Sequence, residues 1–309
     1  MLIYNGGGQM ASEILLELGT NELEMLEFKI AGNSYGINVA KIKEILPYTK
    51  PTPVPNAHPC IEGIFMPRDK VITSVDLAKC INMPPSGNEK GDMIIVTRFN
   101  NLTIGFHVHE IDGIHRVTWE DIIRPDETLT NDASIATGII RIDGKLIIIL
   151  DFEKIIFDIS PSTGLKKEDI KKGGKTTRDK CRILMAEDSH LLLAQMHDCL
   201  TEAGYVNIIS KSNGLEAWEY LLDLKKKGRI DDVDLIITDI EMPRMDGHRL
   251  TKLIKSDDEL HNLPVVIFSS LVTEEMIRKG ESLGADAQLS KPEIGKLVET
   301  LDRLTGNLG

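Results

Sequence analysis

The spacing of apolar and polar positions changes character once along the 309 residues. In the first half, short runs rich in Val, Ile, Leu and Phe are cut by turn signals such as "AGNS", "PRDK", "FNN" and "RIDGK". They predict strands over Glu24–Ile30, Ile61–Phe65, Lys70–Val75, Met93–Arg98, Leu102–His107, Ala136–Ile142 and Lys145–Leu150. In the second half, "CRILMAE", "VNIIS", "LIITD", "VVIFSS" and "AQLS" read as strands. Between and after them, "SHLLLAQMHDCLTEAG", "LEAWEYLLDLKKKG", "RLTKLIKSD", "EEMIRKGESLG" and "IGKLVETLDRL" carry apolar residues at helical spacing. Gly204 closes the first of these helices as a C-cap residue. Five strands alternating with five helices predict a doubly wound parallel α/β sheet covered on both faces.

The seam between the halves is "PSTGLKKEDIKKGGKTTRDK", with seven Lys/Arg against three acidic residues. It holds too little apolar surface to order itself and reads as a linker. The expected division is an N-terminal segment 1–20, an all-β domain 21–160, a linker 161–180 and an α/β domain 181–309. The β domain also repeats itself. "GIFMPRDKVITSVDL" aligns without gaps on "GIIRIDGKLIIILDF" at an offset of 75, and "GINVAKIKEI" on "GFHVHEIDGI" at an offset of 69. That pattern predicts two similar β-subdomains built on one plan.

A net charge of −12 argues against nucleic acid or an anionic membrane as the main partner. Cys60, Cys80, Cys181 and Cys199 form no CxxC pair, so they suggest isolated thiols in a reducing compartment. No apolar run is long enough for direct membrane insertion as a helix, and the first residues do not form a secretory signal, so the expected location is cytoplasmic.

The chemistry gathers at strand ends. In a doubly wound sheet the carboxyl ends of the central strands lie side by side and face the ligand crevice. Glu187 and Asp188 end the first strand of the α/β domain, Asp239 the third, Ser269 and Ser270 the fourth, and Ser290 and Lys291 the fifth. An Asp after a strand most often caps a helix or a turn. Clustered carboxylates, however, repel one another unless a hard cation sits among them. Mg²⁺ is the expected cofactor, with oxygens from Asp188 and Asp239, the carbonyl of Glu241, and Glu187 holding a metal-bound water. Asp239 is then a nucleophile for a phosphoryl group. Lys291 and Ser269 are expected to contact the transferred oxygens.

These motifs resemble the receiver domain of two-component response regulators across Cys181 to Leu304: "ED", "DIEMPRMDG", "VVIFSS" and "SKP" fall in order at the matching strand ends. The resemblance implies a flavodoxin-like fold, a phosphoacceptor at Asp239 and a cis peptide before Pro292. In many receivers an aromatic residue precedes the lysine by three. Here that position is Gln288, so the signal is expected to leave through the fourth helix and fifth strand by another rearrangement.

The β domain resembles the CheW family of chemotaxis coupling proteins over about Asn21 to Ile156, on "YGINVAKIKEI", "VPNAHPCIEGI" and "PRDKVITSVDL". That family has two β-barrel-like subdomains. Members commonly carry Asn-Leu-Arg-Gly before the last of these segments, whereas this chain has Met66, Pro67, Arg68 and Asp69, so that only the arginine stands. Arg68 is a candidate partner contact. A coupling domain followed by a receiver is similar to the CheV family, and "GTNELEMLEF" fits it too.

The implied function is phosphorylation-regulated coupling of methyl-accepting receptors to the histidine kinase CheA, without enzymatic activity. Rival readings are a phosphate sink for that kinase and, from another class, a Mg²⁺-dependent phosphatase with an aspartate nucleophile. His58, His107, His109 and His115 suggest a metal or a base, yet no Cys or acidic partner lies at ligand spacing on the strand of His107 and His109. Asp76 and Asp151, equivalent in the repeat, are expected to cap the helical turns that follow them.

Overall fold

The repeat in the first half is realised strand for strand. A computed structural model of the protein describes residues 21–99, 102–123, 125, 135–161, 165, 178–270, 273–291 and 293–306. The chain divides into two units, Leu23–Gly164 and a second comprising Met1–Glu22 with Leu165–Gly309. The first unit contains β1 (Glu22–Ile30), β2 (Asn33–Asn38), β3 (Ile42–Pro47), β4 (Ile61–Phe65), β5 (Ile72–Asp76), β6 (Met93–Phe99), β7 (Leu102–Val108), β8 (Glu110–Thr118), β9 (Ala136–Ile142) and β10 (Lys145–Leu150). Its helices are α1 (Leu77–Cys80) and α2 (Phe152–Ile159). The strands form two sheets, ordered β3-β6-β7-β5-β4 and β8-β1-β2-β10-β9.

These orders superpose along the repeat: β4 on β9, β5 on β10 and β7 on β2. The pairs β5·β7 and β10·β2 are both parallel. In each sheet a neighbouring segment bridges one edge, Thr52 to Ile64 and Ile123 to Ile139. The repeated glycines make room for it. A Cβ on Gly63 would meet the Thr52 carbonyl at 2.1 Å, and one on Gly138 would meet Ile122 at 2.4 Å. Asp76 and Asp151 cap α1 and α2, accepting from the backbone N–H of Lys79 and Lys154. The repeated residues are therefore those on which edge covering and strand-to-helix turns depend. Phe28, Phe106 and Phe152 pack in the shared core, with the Phe106 and Phe152 rings 4.8 Å apart and edge to face.

β2, β3 and β8 are strands that the hydrophobic pattern does not predict. β2 ("NSYGIN") has turn composition, but it lies between β1 and β10 and is held by both ladders. β3 ("IKEILP") ends on a proline, which an edge strand tolerates, and β3 is an edge. β8 alternates in burial from Glu110 to Val117 while carrying Asp112, Gly113 and Arg116.

The second unit has β11 (Arg182–Ala186), β12 (Asn207–Lys211), β13 (Leu235–Thr238), β14 (Val265–Ser269) and β15 (Ala287–Ser290). Its helices are α3 (His190–Ala203), α4 (Gly214–Lys226), α5 (Gly247–Ser256), α6 (Glu274–Ser282) and α7 (Ile294–Thr305). The strands run parallel in the order β12-β11-β13-β14-β15, the expected doubly wound arrangement. Every residue of β13 and β14 is buried, because helices cover both faces. One core lies against each face, around Tyr205 and Phe268 on one side and Leu221 and Leu250 on the other. Gly204 adopts the left-handed conformation at the end of α3, as its C-cap position predicts. No helix among the described residues is long and apolar enough to cross a membrane.

Candidate functional site

The order β12-β11-β13-β14-β15 changes direction at β11, and the adjacent ends of β11 and β13 form the crevice of such sheets. Glu187 follows β11, its N–H donating to the Lys211 carbonyl at 3.0 Å, and Asp239 follows β13, donating to the Ala186 carbonyl at 3.0 Å. These ladder bonds carry the sheet register one residue past each strand. Carboxylate oxygens of Glu187, Asp188 and Asp239 consequently lie within 4.8 Å of one another. Glu187 and Asp239 are buried and Asp188 is half-buried.

Asp239 is not a helix cap. The N-cap of α5 is Asp246, whose carboxylate accepts from the Arg249 N–H at 2.6 Å. Asp239 Oδ1 instead accepts from the adjacent Ile240 N–H at 2.7 Å. The loop between them is held by close approaches. Gly247 donates to the Ile240 carbonyl at 2.9 Å, and Gly214 donates to the Met245 carbonyl at 3.1 Å. A Cβ on Gly214 would sit 2.6 Å from that Met245 oxygen. Glu241 is half-buried in this loop, and Arg244 takes a positive φ of 66°.

Lys291 is 2% exposed, with its Nζ 2.7 Å from Glu187 Oε2 and 3.2 Å from Asp239 Oδ2. The ammonium lies between two acids, closer to Glu187 than to Asp239. Burial pushes the Glu187 carboxyl well above its usual range, Lys291 opposes that shift, and the charges of Asp239 and Asp188 reinforce it. Ser269 is buried at the end of β14, pairs in register with Ser290, and accepts on its carbonyl from the Lys291 N–H at 3.0 Å. Backbone hydrogen bonding therefore sets Ser269 and Lys291 side by side along the sheet end. Pro292 lies outside the described residues.

Arg68 belongs to the other unit. It sits in the β4–β5 connection, largely exposed, with Nη2 3.6 Å from Glu44 Oε2. Arg68 and Asp69 have φ of 52° and 67°, where the repeat has Asp143 and Gly144 at 49° and 81°. Two successive positive values at the tip of a hairpin are the primed-turn geometry, here built without glycine and so under strain.

Two histidines of that unit, His107 and His115, have acidic neighbours that linear spacing did not disclose. His107 Nδ1 lies 2.9 Å from Glu62 and Nε2 lies 2.8 Å from Asp92, while Tyr48 stacks on the ring at 3.9 Å. His115 Nε2 lies 2.7 Å from Glu27. These acids come from other elements, so strand spacing alone could not find them. Gly247 stands in the "DIEMPRMDG" motif, whereas Gly214 was missed from sequence. Its signal was a glycine directly after the N-cap residue Asn213, at the first position of a helix.

The oxygen-only donor set of Glu187, Asp188 and Asp239 fits a hard divalent cation rather than a soft one. Residues 24–159 match the CheW-like domain family, and residues 183–302 match the response regulator receiver domain family. The chain is 30% identical to the chemotaxis protein CheV3 of Helicobacter pylori, over 96% of this chain and 98% of that protein. It is 32% identical to the chemotaxis protein CheW of Thermotoga maritima over 47% of this chain and 94% of that one. It is also 35% identical to the polar-differentiation response regulator DivK of Brucella anthropi, over 40% of this chain and 96% of that one. With a relative matched end to end and both domains in the same order, the chain belongs to the CheV family of chemotaxis proteins, in which a CheW-like coupling domain precedes a response-regulator receiver.

Proposed function

We propose that Asp239 accepts a phosphoryl group from a CheA-type histidine kinase, and that this modification changes how the coupling domain links that kinase to methyl-accepting receptors in the cytoplasm. One observation carries the reading: a cluster of three carboxylates and a buried ammonium at the end of a parallel sheet, in a chain that also holds a coupling domain. In the transfer, an Asp239 oxygen forms a bond to phosphorus as the phosphorus–nitrogen bond of phosphohistidine breaks. The bonding pair leaves on the imidazole nitrogen.

Glu187, Asp188, Asp239 and the Glu241 carbonyl are the groups that would hold Mg²⁺, which supplies positive charge for the phosphoryl oxygens when bound. Lys291 contributes a second cation, and the Ser269 hydroxyl donates to the product phosphate. Arg68, displayed on a strained turn, contacts a partner of the coupling domain. The protein acts as a coupling component and not as an enzyme.

The test is transfer of labelled phosphate from an autophosphorylated CheA-type kinase to the full chain, with and without Mg²⁺, and to Asp239→Asn. Label on wild type alone, and only with Mg²⁺, is expected. Receptor-coupled kinase activity is then compared for the two proteins. Equal labelling of Asp239→Asn, or identical kinase output, overturns the reading.

A further inference from the structure

The side-chain amide of Gln288 on β15 donates to the carbonyl oxygen of Ile277 in the middle of α6, at 2.6 Å. The helix has a notch for it. A Cβ on Gly280 would meet the Gln288 amide oxygen, carbon and nitrogen at 2.4, 2.5 and 2.7 Å. Glycine is among the poorest residues inside a helix, and Gly280 is buried where no turn or positive φ calls for one. The amide of Gln288 is what requires it.

Both partners run directly into the phosphoacceptor site. Gln288 precedes Lys291 by three residues, and Lys291 Nζ lies 3.2 Å from Asp239. Across the ladder Gln288 is in register with Ile267, and Ser290 with Ser269. The N-cap of α6, Thr273, follows Ser269 by four residues. Charge arriving on Asp239 draws the amine and the hydroxyl toward it. It therefore acts on β15 and on the chain leading into α6, the two parts that Gln288 fastens together.

We infer that the Gln288–Ile277 hydrogen bond, seated in the Gly280 notch, is a latch that holds α6 against β15 and yields when Asp239 is phosphorylated. Gln288 is a positioning residue: it touches no reacting atom and acts through α6. A side-chain hydrogen bond is directional and short-ranged, so a small relative shift breaks it outright. Its loss changes the population of a released α6 by about five-fold, the scale set by one neutral hydrogen bond. The inference rests on phosphoryl acceptance at Asp239.

The experiment is amide hydrogen exchange across α6 in the full chain, with Mg²⁺ and with or without beryllofluoride as the phosphoryl mimic. Wild type, Gln288→Ala and Gly280→Ala are compared, and fluorine magnetic resonance of the bound mimic serves as an independent readout. In wild type the mimic is expected to speed exchange in α6. Both variants should exchange about five-fold faster without the mimic and gain little on its addition, while retaining the bound fluorine signal. The alanine at 280 reaches the latch from the helix side, so agreement between the variants separates the latch from a general loss of packing. An equal mimic-induced change in wild type and Gln288→Ala overturns the latch, as does an α6 indifferent to a mimic that binds. Absence of a bound fluorine signal in wild type overturns the underlying reading and the latch with it.

Discussion

A Cβ on Gly247 would sit 1.9 Å from the carbonyl oxygen of Asp239. The backbone of Asp239 thus rests against the first residue of α5, and the Gly247 N–H binds the next carbonyl, that of Ile240, at 2.9 Å. Any side chain at 247 must push the loop outward and carry the Asp239 carboxylate with it. Gly247→Ala is expected to lower stability by about 2 kcal/mol and to slow phosphoryl uptake. Urea unfolding and a transfer time course check both. Wild-type behaviour in each would mean that the loop yields freely.

Lys291 and a divalent cation answer the same need, positive charge among Glu187, Asp188 and Asp239. Removing the ammonium leaves buried acids without their partner. Lys291→Met is expected to destabilise the protein by about 3 kcal/mol in chelator. It should also bind Mg²⁺ more tightly than wild type, because no ammonium competes for Glu187 and Asp239. Calorimetric titration reads the affinity, and weaker binding by the variant would place the ion elsewhere.

How much of this was legible in the sequence differs between the halves. In the receiver, apolar runs separated by helical periods predict the five strands and five helices, most clearly the central strands β11, β13 and β14, and the acids stand at strand ends. Parallel strands buried on both faces must be apolar throughout, so their signal is strong. In the coupling domain β2, β3 and β8 were missed because they mix polar residues, glycine and an edge proline with their apolar positions. Ladder partners distant in sequence hold them. The same holds for side-chain pairs. Nothing local joins His107 to Asp92 and Glu62, or Gln288 to Gly280, until the fold brings them together.

Arg178 shows the same limit at the domain seam. It lies within the stretch whose composition reads as linker, yet it is 4% exposed. Its Nε and Nη2 reach Asp302 of α7 at 2.7 and 2.5 Å, and its Nη1 reaches the Ala203 carbonyl at 2.6 Å. Tyr205 donates to the same carboxylate at 2.8 Å. Arg178→Ala leaves Asp302 buried with only the phenol and is expected to cost about 3 kcal/mol of receiver stability. Arg178→Lys should recover little, since an ammonium cannot make the two-pronged contact. Denaturant midpoints of the receiver transition decide it. A neutral Arg178→Ala would mean that the pair contributes no net stability.

His107 predicts a pH dependence for the coupling domain. Burial pulls its imidazolium down, but hydrogen bonds and charges from Glu62 and Asp92 outweigh that and raise its pKa above the ordinary 6.5. Glu62 responds in the opposite sense: burial raises it, and His107 with Ser74 brings it below its usual range. The groups facing the ring are Glu62, Asp92, the stacked Tyr48 and His109, and burial lowers the pKa of His109. A His whose pKa is raised by folding lends its stability fully below the unfolded value and loses it as pH rises through the folded one. A carboxylate whose pKa is lowered does the reverse, keeping its contribution above the unfolded value and losing it as pH falls through the folded one. Between those limits His107 and Glu62 are both charged and paired. The coupling domain should therefore lose stability as pH rises above the unfolded histidine value of about 6.5 and through the raised folded one, as the proton leaves His107. His107→Gln should be less stable at about pH 6, by about 3 kcal/mol, and show a flatter profile above it. Urea midpoints of the coupling-domain transition across that range, with ring-proton titration of His107, measure both effects. A variant that keeps the wild-type slope would assign the dependence to another group.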